Sequence, residues 1–196
     1  MFKKILALVV LASVSTVAFA QGTVSFNTAI GTIGTDAKVL DPNGVAVIGL
    51  AYMAQLYAGP GTTAESALVA VGNPVGFKAG FNAGIVQNTG TAFGSAVDAV
   101  VELPAATPGG PVTLQLRAWD SAYPTYAAAF TAGAASGKSP LLALAITGNP
   151  ILPGTPPVDL VGLTGFTMTG GAIIPEPSSI ALMLLGGAAL LIRRRK

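Results

Sequence analysis

The sequence contains no cysteine and no histidine, and only 9% of its 196 residues are charged. Without these two residue types the chain has no disulfides, no zinc or haem site built on the usual ligands, no cysteine nucleophile and no Ser-His-Asp triad. Apolar residues make up 52% of the chain, which argues against a disordered acidic or basic protein. We therefore predict no catalytic residues, no metal site, no cofactor and no enzymatic activity.

Positive charge is also scarce outside the two ends of the chain. Between residues 21 and 174 there are four basic and seven acidic side chains, a net charge of −3. The basic side chains are Lys38, Lys78, Arg117 and Lys138. Four scattered cations do not form the positive surface that a phosphate backbone requires, so we predict no nucleic-acid partner.

The N-terminal twenty residues have the three parts of a secretory signal peptide. Two lysines near the start precede an apolar run over residues 5–14, and the small residues Ala18 and Ala20 precede Gln21. Signal peptidase accepts only small side chains at these two positions, so we predict cleavage between Ala20 and Gln21. The alternatives are a buried core helix or an uncleaved anchor, but the apolar run is too short to span a bilayer.

The C-terminal end carries a second apolar segment, over residues 178–192. Its fifteen residues would span about 22 Å as a helix, which is short of the ~30 Å hydrocarbon core. Bilayer thinning and long basic side chains can cover the difference. The basic cluster that follows would stay on the cytoplasmic side and leave the preceding residues outside; it comprises Arg193, Arg194, Arg195 and Lys196. We expect this segment to anchor the chain in the membrane only temporarily.

Pro175, Glu176 and Pro177 precede this segment. Two prolines remove amide donors and fix φ, so this tripeptide is presented extended rather than helical. In this order and at this end of the chain, the tripeptide, the apolar stretch and the basic tail resemble the PEP-CTERM sorting signal of exported bacterial proteins. The same tail is sometimes catalogued as an ice-binding protein C-terminal domain, which is no indication of ice binding. The alternative is a linker with a chance match.

The PEP-CTERM resemblance implies processing by an exosortase that recognises Pro175, Glu176 and Pro177. It further implies delivery to the cell surface or to secreted polysaccharide, after transient residence in the inner membrane. The predicted organisation is a signal peptide (1–20), a body (21–174) and a sorting signal (175–196).

The body is rich in glycine and proline, and its apolar residues occur in short runs without long helical periodicity. This pattern predicts an all-β fold, an antiparallel β-sandwich of about eight or nine strands with one short helix. The predicted strands cover residues 23–30, 45–58, 66–71, 75–81, 95–103, 112–119, 141–146 and 158–168. A turn is predicted at residues 41–44, and a helix within 121–135, capped by Asp120 or Ser121 and crossing between the two sheets.

Two of these strands allow a prediction of register. Apolar residues alternate in 95–103 and in 112–119, and a turn-rich segment separates the two runs. A symmetric hairpin places Leu103 opposite Val112 and Asp98 opposite Arg117, so that apolar residues meet apolar residues. Four segments of the body also resemble a group of uncharacterised PEP-CTERM proteins with β-sandwich bodies; they are residues 54–60, 68–72, 114–120 and 137–140.

Other motifs have simpler explanations than catalysis. Residues 132–139 match a loose phosphate-binding-loop pattern, but the pattern is not placed between a strand and a helix, so a flexible loop is favoured. Asp98 and Glu102 would be about 13 Å apart on one strand, too far for a glycosidase pair.

Trp119, Tyr123 and Tyr126 lie close together in the sequence near the end of a predicted strand. Exposed together, these rings would form a glycan-binding platform, whereas core and edge packing would explain them without any ligand. Two functions are therefore open. The first is a non-catalytic surface or matrix protein associated with exopolysaccharide, and the alternative is a carbohydrate-binding module that uses these rings. An exposed Trp119 would favour the alternative and a buried one the first.

Overall fold

The computed structural model describes residues 21–29, 36–87, 100–104, 106–150 and 155–171. The described strands are β1 Gly22–Ser25, β2 Val39–Leu40, β3 Gly49–Pro60, β4 Val69–Phe77, β5 Val100–Leu103, β6 Val112–Asp120, β7 Ser136–Lys138, β8 Leu142–Leu144, β9 Val158–Asp159 and β10 Phe166–Thr167. One α-helix, α1, covers Tyr126–Thr131. Short 3-10 turns cover Glu65–Ala67 and Gly80–Asn82.

The largest sheet has the strand order β4-β3-β6-β7, and β8 also pairs with β6. β3 and β6 are its centre, with nine consecutive antiparallel pairs running from Tyr52↔Asp120 to Pro60↔Val112. Their apolar residues alternate with polar ones, so that Leu56 and Leu116 meet on the buried face. This alternation is what the period of two in a strand requires when one face packs on a core.

Two smaller sheets complete the described strands. One has the order β5-β1-β9 and the other the order β10-β2. The β1–β9 and β2–β10 pairs are parallel, whereas β1 pairs with β5 antiparallel. One apolar core joins all three sheets, because its buried members include Val24 of β1, Val39 of β2 and Leu116 of β6.

The predicted hairpin between residues 95–103 and 112–119 is wrong. Leu103 is the partner of Gly22 in β1, and Val112 is the partner of Pro60 in β3. Arg117 lies between Gln55 and Lys138 on the neighbouring strands, and Asp98 falls outside the described residues. β3 offers β6 the same apolar pairing over nine consecutive residues, whereas the described residues of β5 pair with β1.

Several predicted boundaries also change. The predicted strands 66–71 and 75–81 form one strand, β4, which continues through Pro74. The predicted strand 158–168 is two short strands, β9 and β10, separated by a turn at Val161 and Gly162. The sequence prediction missed β2 and β7, which have only two and three residues.

The helix is shorter than predicted and has a different cap. Thr125, not Asp120 or Ser121, accepts a hydrogen bond from the amide of Ala128 at 3.2 Å. The helix lies between β6 and β7 in the chain, and these two strands are neighbours in the same sheet. The prediction that the helix crosses between two sheets is therefore wrong.

The described part of the chain confirms a mostly β fold with one short helix and several sheets. A sandwich of two antiparallel sheets is not confirmed, since the strands form three sheets with two parallel pairs. Among the described residues no helix has the length and apolar character needed to cross a bilayer. The predicted signal peptide, the Pro-Glu-Pro motif, the membrane segment and the basic tail lie outside the described residues, apart from Gln21.

Candidate functional site

The outer face of the large sheet carries an aromatic cluster built on Trp119. Because Leu116 and Ala118 face the main core, the alternation of β6 turns Arg117 and Trp119 to the opposite face. There α1 covers the indole, which is only 1% exposed and packs in one cluster with Tyr126 and Ala129. The indole N–H donates to the carbonyl oxygen of Tyr123 at 2.9 Å.

This burial bears directly on the predicted glycan contact. Stacking on a sugar requires exposed ring faces, but Trp119 is buried and Tyr126 is only 8% exposed. Tyr123 is half-buried and packs against the same cluster. The structure thus brings the three predicted residues together as packing residues, not as an open platform.

Arg117 lies at the centre of the same face. Its guanidinium carbon is 4.0 Å from the ring centroid of Tyr57 and 5.2 Å from that of Tyr126. Its Nε donates to Oε1 of Gln115 at 2.8 Å, and Nη2 donates to the backbone oxygen of Glu65 at 3.3 Å. A planar guanidinium can stack and donate at once, so this single side chain ties β3, β6 and the Glu65–Ala67 turn together.

Glu65 and Lys138 form an ion pair at the edge of this cluster. The hydrogen bond from Lys138 holds the pKa of the Glu65 carboxyl below its ordinary value. Lys138 and Arg117 are direct partners across β6 and β7, so the carboxylate also offsets the repulsion between two neighbouring cations. Burial raises the pKa of the Tyr57 hydroxyl, and the nearby Arg117 opposes that rise.

The alternation within residues 112–119 indicates one shared face for Arg117 and Trp119, but sequence reasoning missed the contributions of Tyr57, Glu65 and Lys138. The alternation of Gln55 and Tyr57 in β3 was a usable signal for one of them. Glu65 and Lys138 lie 73 positions apart, and nothing local to either residue indicates the pairing.

The remaining candidate chemistry is absent from the described residues. Gly137 and Lys138 belong to β7, which is paired with β6, so the segment lacks the strand-loop-helix geometry of a phosphate-binding loop. Asp41 accepts hydrogen bonds from the amides of Val45 and Asn43, which lower the pKa of its carboxyl and fix the predicted turn. No three acidic side chains group together in the described ranges as a metal site would require.

The last described residues lie beside the C-terminal end of α1. Thr169 and Ser136 exchange two backbone hydrogen bonds, of 2.8 and 2.9 Å, and the amide of Gly171 donates to the carbonyl of Gly133 at 2.9 Å. Gly170 has φ +76°, and a Cβ there would lie 2.7 Å from the carbonyl oxygen of Ala134. The chain is therefore held close to the body up to residue 171, four residues before Pro175.

Comparison with protein families finds the PEP-CTERM protein-sorting motif at residues 174–196. The match covers the tripeptide, the apolar segment and the basic tail, so it confirms the resemblance predicted for this end. Comparison with curated proteins and comparison with solved structures each give no match. The chain thus carries a PEP-CTERM sorting signal, and this signal implies an exported protein that an exosortase processes.

Proposed function

We propose that this chain is a non-catalytic protein of the cell surface or extracellular matrix. A signal peptide directs export, the segment 178–192 holds the chain in the inner membrane, and an exosortase cuts near Pro175–Pro177. The observation that carries the proposal is the family match at residues 174–196, following a body of negative net charge. The processed body then associates with exopolysaccharide.

Three of the six described acidic residues are engaged in structural contacts, which supports a non-catalytic body. Asp41 is engaged in a turn, Glu65 is paired with Lys138, and Asp120 accepts a hydrogen bond from the amide of Ala122 at 2.9 Å. A shallow hollow lies at the β3, β4 and β6 ends of the core, and its lining is apolar: Ala58, Gly59, Val69, Val71, Leu103, Ala106 and Val112. Such a lining offers no acid, base or nucleophile for a reaction.

Processing is tested in a host that contains an exosortase. Replacement of Pro175, Glu176 and Pro177 by alanine should abolish tail removal and leave an unprocessed, membrane-bound chain. The matched control is Pro42→Ala in an exposed turn, which should be processed normally. Mass spectrometry of the mature chain should also find Gln21 at its N-terminus. Normal release of the triple variant would contradict the proposal.

Polysaccharide association is tested by co-sedimentation of the processed protein with the exopolysaccharide of the same host. The alternative, a carbohydrate-binding module that uses Trp119, Tyr123 and Tyr126, predicts that Tyr123→Ala loses binding while the fold is retained. The burial of Trp119 weighs against that alternative. If neither the processed wild-type protein nor the Tyr123→Ala variant sediments with the polysaccharide, the exopolysaccharide association is contradicted.

A further inference from the structure

We infer that one defined corner of the body faces the membrane surface while the sorting signal holds the chain there. The exit corner comprises Phe130–Gly133 at the end of α1 and Thr169–Gly171 at the end of the described chain. This inference rests on the proposed membrane-held state. It adds an orientation for the body and a contact surface for the phospholipid headgroup region.

The first argument is the length of chain outside the corner. Gly171 is hydrogen-bonded to Gly133, and six residues, hence seven Cα–Cα steps, separate it from residue 178, where the apolar segment begins. Seven such steps span at most about 25 Å when the chain is fully extended. A body of residues 21–174 has a radius of gyration of about 15 Å, hence a diameter of nearly 40 Å. The connection is shorter than the body is wide, so the exit corner cannot lie on the side of the body that faces away from the membrane.

The second argument is the chemistry of the exit corner. From Ser121 to Gly137 the chain has no charged side chain, and residues 168–171 have none either. The charges that flank the first stretch are Asp120, whose carboxylate accepts from the amide of Ala122, and Lys138, which is paired with Glu65. Asp159 and Glu176 flank the second stretch along the chain. Because neither stretch carries an ion of its own, these residues can enter the headgroup region without the cost of removing water from a charged side chain.

The third argument is an exposed anchor. Phe130 is 66% exposed, and its ring stacks on that of Tyr126 with centroids 6.0 Å apart. Tyr126 is itself fixed against Trp119, so the Phe130 ring projects from a rigid support. Burial of an exposed aromatic ring at a bilayer interface is favourable because apolar surface leaves water. The exit corner thus combines a chain exit held at Gly171, residues without charged side chains and one exposed aromatic ring.

The absence of cysteine allows a direct test with single-cysteine variants of the full chain. An environment-sensitive fluorophore is attached at Thr131→Cys, beside the anchor, in phosphatidylethanolamine vesicles containing a minority of phosphatidylglycerol. The matched control is Thr62→Cys, exposed at the far end of β3 next to Gly61, whose amide bonds the carbonyl of Pro111. The eight steps of β6 place these two ends about 27 Å apart.

We expect a blue shift and quenching by lipid-borne nitroxides at residue 131, but water-like emission at residue 62. The additional change Phe130→Ser should reduce the shift at residue 131, while circular dichroism reports an unchanged fold. Equal emission at residues 131 and 62 would overturn the orientation. A third probe, Ala189→Cys, reports the sorting segment itself. Water-like emission at residue 189 would overturn the membrane-held state and, with it, the inference. If the probe at residue 189 is in the bilayer while the probe at residue 131 remains in water, only the orientation is overturned.

Discussion

The burial of Trp119 makes its replacement a change in stability rather than in ligand binding. The indole is 1% exposed, packs against Tyr126 and Ala129, and donates to the carbonyl of Tyr123. Replacement by alanine removes the ring contacts, leaves a cavity under α1 and deprives that carbonyl of its donor. Truncation of a buried tryptophan costs about 3–5 kcal/mol of unfolding free energy.

That cost is large against the ~5–15 kcal/mol that separates a folded domain from its unfolded chain. For a chain of this length, each kcal/mol of lost stability lowers the unfolding temperature by about 2–4 °C, so Trp119→Ala should lower that temperature by roughly 6–20 °C. Trp119→Phe keeps a buried ring and loses only the N–H donor and part of the area. We expect that variant to lose about 1–2 kcal/mol of unfolding free energy.

The measurement is thermal and urea unfolding of the full chain in mild detergent, followed by far-ultraviolet circular dichroism, because the variant lacks the only tryptophan. Phe81→Ala is the matched control, since Phe81 is a fully exposed aromatic residue and its loss should change stability by less than about 0.5 kcal/mol. If Trp119→Ala unfolds at the wild-type temperature, the packing argument is refuted. If such a stable variant also loses polysaccharide binding, the glycan-contact hypothesis is correct.

Three further predictions concern the described residues. Arg117→Lys should lower the unfolding free energy by about 1–2 kcal/mol, because a lysine ammonium cannot stack on Tyr57 as a planar guanidinium does and donate to two acceptors at once. The urea midpoint measures this loss, and an unchanged midpoint would contradict the prediction. Gly170→Ala should cost about 1–3 kcal/mol more than Gly44→Ala by thermal unfolding. Both have positive φ, but only Gly170 meets a backbone oxygen, so equal costs would count against the close approach. Glu65→Gln should cost at most about 1 kcal/mol at neutral pH and low salt. The pKa of Glu65 is depressed in the folded state, so the ionised carboxylate stabilises the fold. The difference in unfolding free energy between wild type and Glu65→Gln should therefore be full above the ordinary glutamate pKa of about 4.3 and vanish as pH falls through the lowered pKa. A difference that does not change with pH would exclude the ion pair as its source.

The C-terminal sorting signal and the turn at residues 41–44 could be predicted because their signals are contiguous. The sorting signal is a sequence of three adjacent features, and the family match at residues 174–196 confirms it. The turn at Asp41–Gly44 depends on one carboxylate and the amides that follow it, and the structure confirms that as well. Each of these features is determined within a few residues, so no distant partner can change it.

The strand pairing of the body could not be predicted in the same way. Alternating apolar residues identify β6 correctly, but they do not identify its neighbour, because every half-buried strand shows the same alternation. Leu116 matches Leu56 of β3 as well as it matches an apolar residue of β5. The segment 104–111 is also longer than a tight hairpin turn, so it does not force β5 and β6 together. β7 was missed because three residues carry no measurable period.

The connection between β6 and β7 contacts both the aromatic cluster and the exit corner. Trp119 and Ser136 are direct partners across β6 and β7, and a hairpin between them needs only a few residues. The chain instead uses residues 120–135, which contain α1. The helix covers Trp119, and the carbonyls of Gly133 and Ala134, just after the helix, lie against Gly170 and Gly171. Loosening the cover of Trp119 should therefore also loosen the point from which the sorting signal leaves the body. We therefore expect Trp119→Ala to change how the tail is presented for processing, although residue 119 lies outside the sorting signal.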